Sequence, residues 1–314
     1  MVIHKDFWNR KRVLVTGHTG FKGGWLSLWL NSMGASVHGI GLSPCTENSI
    51  FKHARIAEVT DSHICDIRDF PKVKKLLNDL NPEIIFHMAA QPLVRHSYIN
   101  PIETYETNVL GTVNILEASR DCKSLKAIVN ITSDKCYENL EIDRGYNENE
   151  AMGGHDPYSS SKACAELVSA AYRLSFLENE GIAMATARAG NVIGGGDWAN
   201  DRLIPDALYA LELSKDVQIR NPDAIRPWQH VLEPLSGYIT LAEKLFLEGH
   251  KYAEGWNFGP NDNDVKSVSW IVNHLCRNWD EGVKWSKQPG EHPHEAKNLK
   301  LENTKEKKLL KEKT

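Results

Sequence analysis

Neither charge dominates this 314-residue chain: 37 Lys and Arg stand against 41 Asp and Glu, for a net charge of −4. So balanced a chain offers no basic field, and nucleic acid is not expected as a partner. No window reaches the roughly 18 apolar residues of a membrane helix, so no membrane partner is expected either. The opening "MVIHKDFWNRKR" lacks the apolar core of a secretion signal, and the expected location is cytoplasmic. Cysteine is sparse. Cys45, Cys65, Cys122, Cys136, Cys164 and Cys276 form no CxxC pair and fit no zinc spacing. Free thiols in a reducing compartment are the expectation. No metal is expected: in "EHPHE", His292 and His294 straddle a proline with no third ligand in view. Internal repeats and low-complexity linkers are missing too.

What is present is ordinary globular material, 41% hydrophobic and 25% charged. The length suits one large α/β domain, or one domain with a smaller partner. Residues 13–16, "VLVT", read as a buried parallel strand. "GHTGFKGG" follows, then "WLSLWLNSMG" with apolar residues at helical spacing. Gly17, Gly20 and Gly23 have the G-x-x-G-x-x-G spacing, with Phe21 inside the turn. Between a strand and a helix, such glycines bring a dinucleotide's pyrophosphate onto backbone N–H groups. The next strand, residues 36–42, runs into "GLSPCTENS". It offers no acid for an adenosine ribose and no Arg for a 2′-phosphate. NAD is favoured over NADP, without a carboxylate to fix the choice. "HICDIRD", 63–69, reads as a third strand. Asp66, followed by Ile67, is a candidate partner for adenine and equally a helix N-cap for "FPKVKKLLNDL".

The alternation continues. "EIIFHMAA" (83–90) ends in Ala89 and Ala90, small enough for a cofactor to pass over the strand end. A helix spans 101–120 with Asn108 midway, a strand 127–133, a helix 158–181, and a strand 183–194 that enters a glycine-rich loop. This order predicts an α/β fold: a doubly wound parallel sheet with ligands beyond its C-terminal strand ends. Past about residue 186, loops rich in Gly, Asn, Asp and Pro suit a smaller C-terminal lobe. The expected division is 1–185 plus about 225–256 for dinucleotide binding. About 186–224 plus 257–314 would bind substrate.

Chemistry concentrates in residues 129–166. A strand ends in Thr132 and Ser133, followed by Asp134 and Lys135. Asp156-Pro157 reads as N-cap and N1, so Tyr158 and Lys162 fall one turn apart on one helix face. An ammonium near a phenol favours phenolate, and a tuned Tyr can take a hydroxyl proton while hydride leaves its carbon. Adjacent residues of a strict strand face opposite sides, so the backbone must leave ideal pleating for Asp134 and Lys135 to serve one ligand.

This combination resembles the extended short-chain dehydrogenase/reductase family over essentially the whole chain. Asn108, Thr132 or Ser133, Tyr158 and Lys162 match the family's catalytic positions in order. The resemblance implies a Rossmann-type sheet, with NAD held by the glycine turn and by Asp66, Ile67, Ala89, Ala90, Asn108, Thr132, Tyr158 and Lys162. "AAQPLVRHSY", "TSDKCYEN", "RAGNVIGGGDW", "IRPWQHVLEPLSGY" and "EHPHEA" are similar to the family's nucleotide-sugar 4,6-dehydratases. Those relatives carry Asp-Glu where this chain has Asp134-Lys135, and epimerases of the family have no such acidic dyad. The implied reaction is oxidation at C4, elimination across C5–C6 and hydride return to C6, in deoxysugar and surface-polysaccharide synthesis. Asp134 is the implied general acid. Lys135 is either a base, if desolvation lowers its pKa, or a cationic stabiliser.

The implied substrate is CDP-glucose, with cytosine resting on resemblance alone. Arg202 and Arg226 are candidates for its diphosphate, and Asn191 for a phosphate oxygen. Trp228 would stack or fill the core; Gln91 and His294 complete the substrate set. A homodimer or dimer of dimers is expected, with helices 101–120 and 158–178 pairing. Another nucleotide-sugar 4,6-dehydratase, a 4-epimerase or reductase, and a non-catalytic dinucleotide sensor stay open. Asp134-Lys135 speaks against the epimerase and reductase, and the Ser/Tyr/Lys set against the sensor. Such enzymes continue past "KLENTKEKKL" into a Gly-Trp segment. This chain stops at Thr314, so a naturally short or a truncated C-terminus is expected.

Overall fold

The computed structural model of the chain describes residues 3–279, 282–290 and 296–310. Strand β1 (Arg12–Thr16) reads RVLVT. Side chains alternate across a strand, so Val13 and Val15 enter one core with Leu26, Leu30 and Leu235. Leu14 enters another with Val73, Leu77 and Ile115. These strand side chains are fully buried, and each such burial contributes roughly 1.5–3 kcal/mol. Two apolar faces require two helical layers. Helices Phe21–Ser32 and Leu232–Glu248 cover the first face, and Phe70–Leu80 and Gly111–Ser119 the second.

The other strands of this sheet are β2 (Ser36–Gly41), β3 (Asp61–Ile64), β4 (Ile84–His87), β5 (Ala127–Ile131), β6 (Ala183–Ala189) and the edge strand Gly255–Phe258. Their order is β3-β2-β1-β4-β5-β6-edge, and every pairing is parallel. The expected doubly wound sheet is therefore present. The chain winds outward from β1 to β3, then crosses back to lay β4 against β1. That reversal opens a crevice at the C-terminal strand ends, where such sheets bind ligands.

A separate core of Ala207, Leu211, Val217, Ile219, Val272 and Cys276 lies outside the sheet. It joins helices Leu203–Glu212 and Val268–Trp279 to a short parallel pair, Val217–Ile219 with Trp285–Lys287.

Local boundaries differ from the sequence expectation in several places: the strand expected over 83–90 stops at His87, that over 183–194 stops at Ala189, and the helix over 158–181 passes into a π-turn at Arg173–Leu177. The third strand ends at Ile64, so Asp66 and Ile67 lie in the loop beyond it. The 101–120 helix contains a π-turn at Glu106–Leu110, centred on Asn108. The strand expected over 127–133 stops at Ile131, and Asp134–Cys136 form a 3-10 turn. The Asp134–Cys136 turn is capped by Ser133, whose hydroxyl accepts from Lys135 N, a bond that hydrophobic periodicity does not register.

Candidate active site

Gly17 ends β1 with φ +74, in the left-handed region. A Cβ there would lie 2.9 Å from the Ala89 backbone, where β4 has just ended. Glycine thus lets the two strand ends close at the crevice. A Cβ on Gly23 would lie 2.2 Å from the Gly17 carbonyl, so Gly23 seats the helix on the turn. Gly20, exposed, is the N-cap, and no side chain caps helix Phe21–Ser32. Its first N–H groups remain for an anion. Phe21 reaches the Gly194 loop, where an added Cβ would sit 3.2 Å from its ring. Thr16 fixes the β4 end: its hydroxyl oxygen accepts from Met88 N and Ala89 N at 3.0 Å and pairs with His87 Nδ1 at 2.8 Å. Burial, reinforced by the Lys162 charge, pushes the His87 pKa down to about 3.

As expected, β2 ends without a carboxylate. Gly41 faces Thr19 and His18, and the Thr19 hydroxyl donates to the Leu42 carbonyl at 2.8 Å. Asp66 accepts from Arg68 N at 2.9 Å and from the Arg68 guanidinium at 2.6–3.1 Å, which holds its carboxyl below the usual range. The cap of helix Phe70–Leu80 is Asp69, accepting from Lys72 N. Asp66 as that cap is corrected: it lies too early to reach the first helical N–H groups. Ile67 packs under Gly111, where a Cβ would come within 2.5 Å of it.

Asn108 ties the β4 loop to the helix bearing Tyr158. Its Oδ1 accepts from Gln91 N at 2.8 Å, and its Nδ2 donates to Gln91 O at 3.1 Å and Ser161 Oγ at 2.9 Å. π-turns recur at functional sites, and here one places this amide. The Gln91 side chain is engaged internally, donating to Thr104 Oγ1 and Leu93 O and accepting from Leu93 N.

Helix Pro157–Tyr172 begins as expected, with the Asp156 side chain accepting from Ser159 N at 2.9 Å. Tyr158 and Lys162 are 8% and 7% exposed. The Ser133 hydroxyl acts on the phenol and favours its ionised form. The Ser133 hydroxyl in turn donates to Asp134 Oδ1 at 2.9 Å and accepts from Lys135 N at 3.2 Å. Asp134 is 3% exposed, and its Oδ2 has no hydrogen-bond partner among the described residues. Burial raises its pKa against the opposing charges of Lys135, Arg226 and Lys22. The backbone does leave the pleat here, as the dyad requires.

Two expectations change. The Tyr158 pKa is not lowered: burial pushes it up to about 12, against a lowering by Ser133. Lys162 donates to the Ile131 carbonyl at 3.2 Å, and burial lowers its own pKa to about 8. Thr132 does not face the crevice group; its hydroxyl donates to Glu166 at 2.5 Å, which leaves Ser133 beside the phenol.

Of the substrate candidates, Arg202 pairs with Asp197 at 3.5 Å and exerts its charge on Tyr158 and Lys22. Arg226, buried, donates to Ile225 O and Lys297 O and exerts its charge on Asp134. The Asn191 carbonyl accepts from Gln229 N. Trp228 is buried, with its indole N–H on the Lys266 carbonyl. His294, like His292, lies outside the described residues. Two surface cavities of about 480 and 450 Å³, beside Trp285 and beside Arg144, lie away from these strand ends.

Sequence reasoning missed three residues. Glu166, one turn beyond Lys162, accepts from Thr132, Thr186 and Arg188, the last in a buried ion pair at 2.7 Å. Arg188 also donates to Tyr137, which donates to Asn257 on the edge strand. The third is Lys22, within the glycine motif itself. A charged residue in an apolar helix was the available signal for Lys22; nothing in the sequence pairs 166 with 188.

A glycine turn under an uncapped helix, a buried Tyr/Lys pair and an adjacent acid define a dinucleotide-dependent enzyme of the extended short-chain dehydrogenase/reductase type. Residues 14–312 match the family model of GDP-mannose 4,6-dehydratase, and the chain belongs to that family. It is 57% identical over 309 residues to a CDP-glucose 4,6-dehydratase of Salmonella typhimurium, covering 97% of this chain and 86% of that one. A dTDP-glucose 4,6-dehydratase of Escherichia coli is 26% identical, over 87% of this chain and 78% of its own. Among solved structures, a UDP-glucose 4-epimerase from Thermotoga maritima superposes with a TM-score of 0.82 at 20% identity, over 95% of this chain and 92% of that one. A dTDP-glucose 4,6-dehydratase from Streptomyces venezuelae, solved with NAD, gives 0.77 at 21%, over 95% and 90%. At such identities the structures speak for the fold.

Proposed function

We propose that this protein converts CDP-glucose to CDP-4-keto-6-deoxyglucose, using NAD and releasing water. The observation that carries the chemistry is Ser133, which favours ionisation of Tyr158, a candidate C4 base, and donates to Asp134, a second, buried acid. The 57% identity to the Salmonella enzyme supports the choice of cytidine nucleotide.

The uncapped helix start, the positive-φ Gly17 and the small Ala89 and Ala90 fit a dinucleotide. NAD, when bound, supplies a hydride acceptor and a positive ring charge. Tyr158 takes the O4 proton, and a cation at the site offsets the burial that raises its pKa. Lys162, anchored on Ile131, steadies that end of the cleft. Asp134, whose pKa burial raises, gives its proton to the departing C6 hydroxyl through the unpartnered Oδ2. Lys135 serves the C5 step as a cation beside the charge left when the C5 proton departs.

The protein is further proposed to be cytoplasmic and dimeric. No helix among the described residues is long and apolar enough to cross a membrane. Ile102, Leu110, Leu167 and Leu174 stand exposed on the helical segments 101–119 and 157–177. Such a patch suits a second copy of the chain.

The test is incubation with NAD and CDP-, dTDP-, UDP- or GDP-linked glucose, reading 4-keto-6-deoxy product by its ultraviolet absorbance in alkali. CDP-glucose should be consumed fastest. A 4-epimer as product, or preference for another base, overturns the reading.

A further inference from the structure

Lys22 is the second residue of helix Phe21–Ser32, on the turn whose backbone donors are uncapped. Every other residue in this helical segment, "FKGGWLSLWLNS", is uncharged. Lys22 is half-buried at this helix start. There it lies within electrostatic reach of Asp134, Asp197 and Arg202, and also of Lys162. Among the described residues no hydrogen bond or ion pair reaches its ammonium. Arg202 is paired only loosely with Asp197, and its buried Nε has no partner. Lys22 acts on Asp134, whose Oδ2 is nine-tenths buried and also unpartnered.

An ammonium withdrawn from water without an anion is costly. Burial accordingly lowers the Lys22 pKa to about 8. Asp134 and Asp197 offset this cost only in part, and burial keeps the Asp134 carboxyl itself toward the neutral form. The cleft therefore lacks an anion for these cations, and a nucleotide's diphosphate supplies one.

We propose that Lys22 is a side-chain ligand for the diphosphate of a nucleotide bound in this crevice, beyond what the backbone donors of the glycine turn supply. The assignment rests on the nucleotide-dependent reading above. Its position on the glycine-turn helix points to the dinucleotide's diphosphate rather than the nucleotide sugar's. Binding has a second effect. Lys22 is one of three cations that pull Asp134 toward carboxylate. Engaging Lys22 with phosphate weakens that pull and favours the protonated acid.

The test is calorimetric titration of the wild-type protein, Lys22→Met and Lys22→Arg with ADP-ribose, NADH, CDP and adenosine. A hydrogen bond to a charged group is worth about 1.5–3 kcal/mol. Lys22→Met should therefore bind ADP-ribose and NADH about 10- to 100-fold more weakly, with a flatter salt dependence. Lys22→Arg should recover most of the loss. Adenosine, which has no phosphate, should bind all three proteins alike and so reports that the variants are folded. Weakened CDP with unchanged ADP-ribose would keep the diphosphate assignment and move it to the sugar nucleotide. Unchanged affinity for both, with the wild type binding normally, overturns the role of Lys22 alone. A wild-type protein that binds neither NADH nor ADP-ribose overturns this role together with the functional reading.

Discussion

Ser133 donates to Asp134 Oδ1 at 2.9 Å, and Asp134 Oδ2 points away from that bond with no partner of its own. One oxygen is thus anchored and the other is left for a ligand hydroxyl. The same serine hydroxyl favours the ionised form of Tyr158. The acid needed for elimination and the base needed for oxidation are therefore set by one side chain.

Asp134→Asn should separate the half-reactions. The amide keeps the size of the carboxyl and loses the acid. In single turnover the variant should accumulate enzyme-bound NADH and release 4-keto-6-deoxy product about 10² to 10⁴ more slowly, the usual range for general acid catalysis. Lys135→Met should slow solvent-deuterium exchange at C5. If both variants keep the parent rates, the pair is a structural ion pair.

Tyr158→Phe removes the ionisable oxygen and keeps the ring. Turnover should vanish while NADH still binds, read by fluorescence titration. Because burial pushes the phenol up to about 12, wild-type NADH formation should rise with pH through the neutral and mildly alkaline range. A flat profile there would remove Tyr158 as the titrating base.

His87 is buried between Thr16 and Thr112, and its pKa falls to about 3. An unfolded His titrates near 6.5. Between those values the unfolded chain binds a proton that the folded chain refuses, so stability falls as pH drops through that window. A full group contributes about 1.4 kcal/mol per pH unit. His87→Gln should lose that share of the slope in urea unfolding measured at several pH values. An identical slope in the variant would mean His87 is protonated in the folded protein.

The Glu166–Arg188 pair is almost wholly buried and spans the Tyr158 helix and β6. Arg188→Met leaves Glu166 charged without its partner, a change that costs about 3–5 kcal/mol in comparable pairs. Adding Glu166→Gln should recover part of the loss, because the uncompensated charge goes too. Unfolding free energies of the two variants decide this; equal losses would argue that packing of the Arg stem, not charge, dominates.

Much of this site could be read from the chain itself. Strand–turn–helix order, the glycine spacing and the Tyr158–Lys162 interval are local, because each is fixed by period and by φ restrictions within a few residues. So is the Asp156 cap. Resemblance then supplied the reaction that residue types alone left open. Tertiary structure decided what depends on neighbours distant in sequence. It alone set which of Thr132 and Ser133 meets the phenol, since Glu166 claims Thr132 from 34 residues away. It reversed the expected Tyr158 shift, because desolvation depends on everything packed around a group and not on the lysine one turn along. It turned Lys22 from a residue among glycines into an unpaired cation beside Asp134. Asp197 and Arg202 lie near it only because the sheet brings the ends of β1, β5 and β6 to one edge.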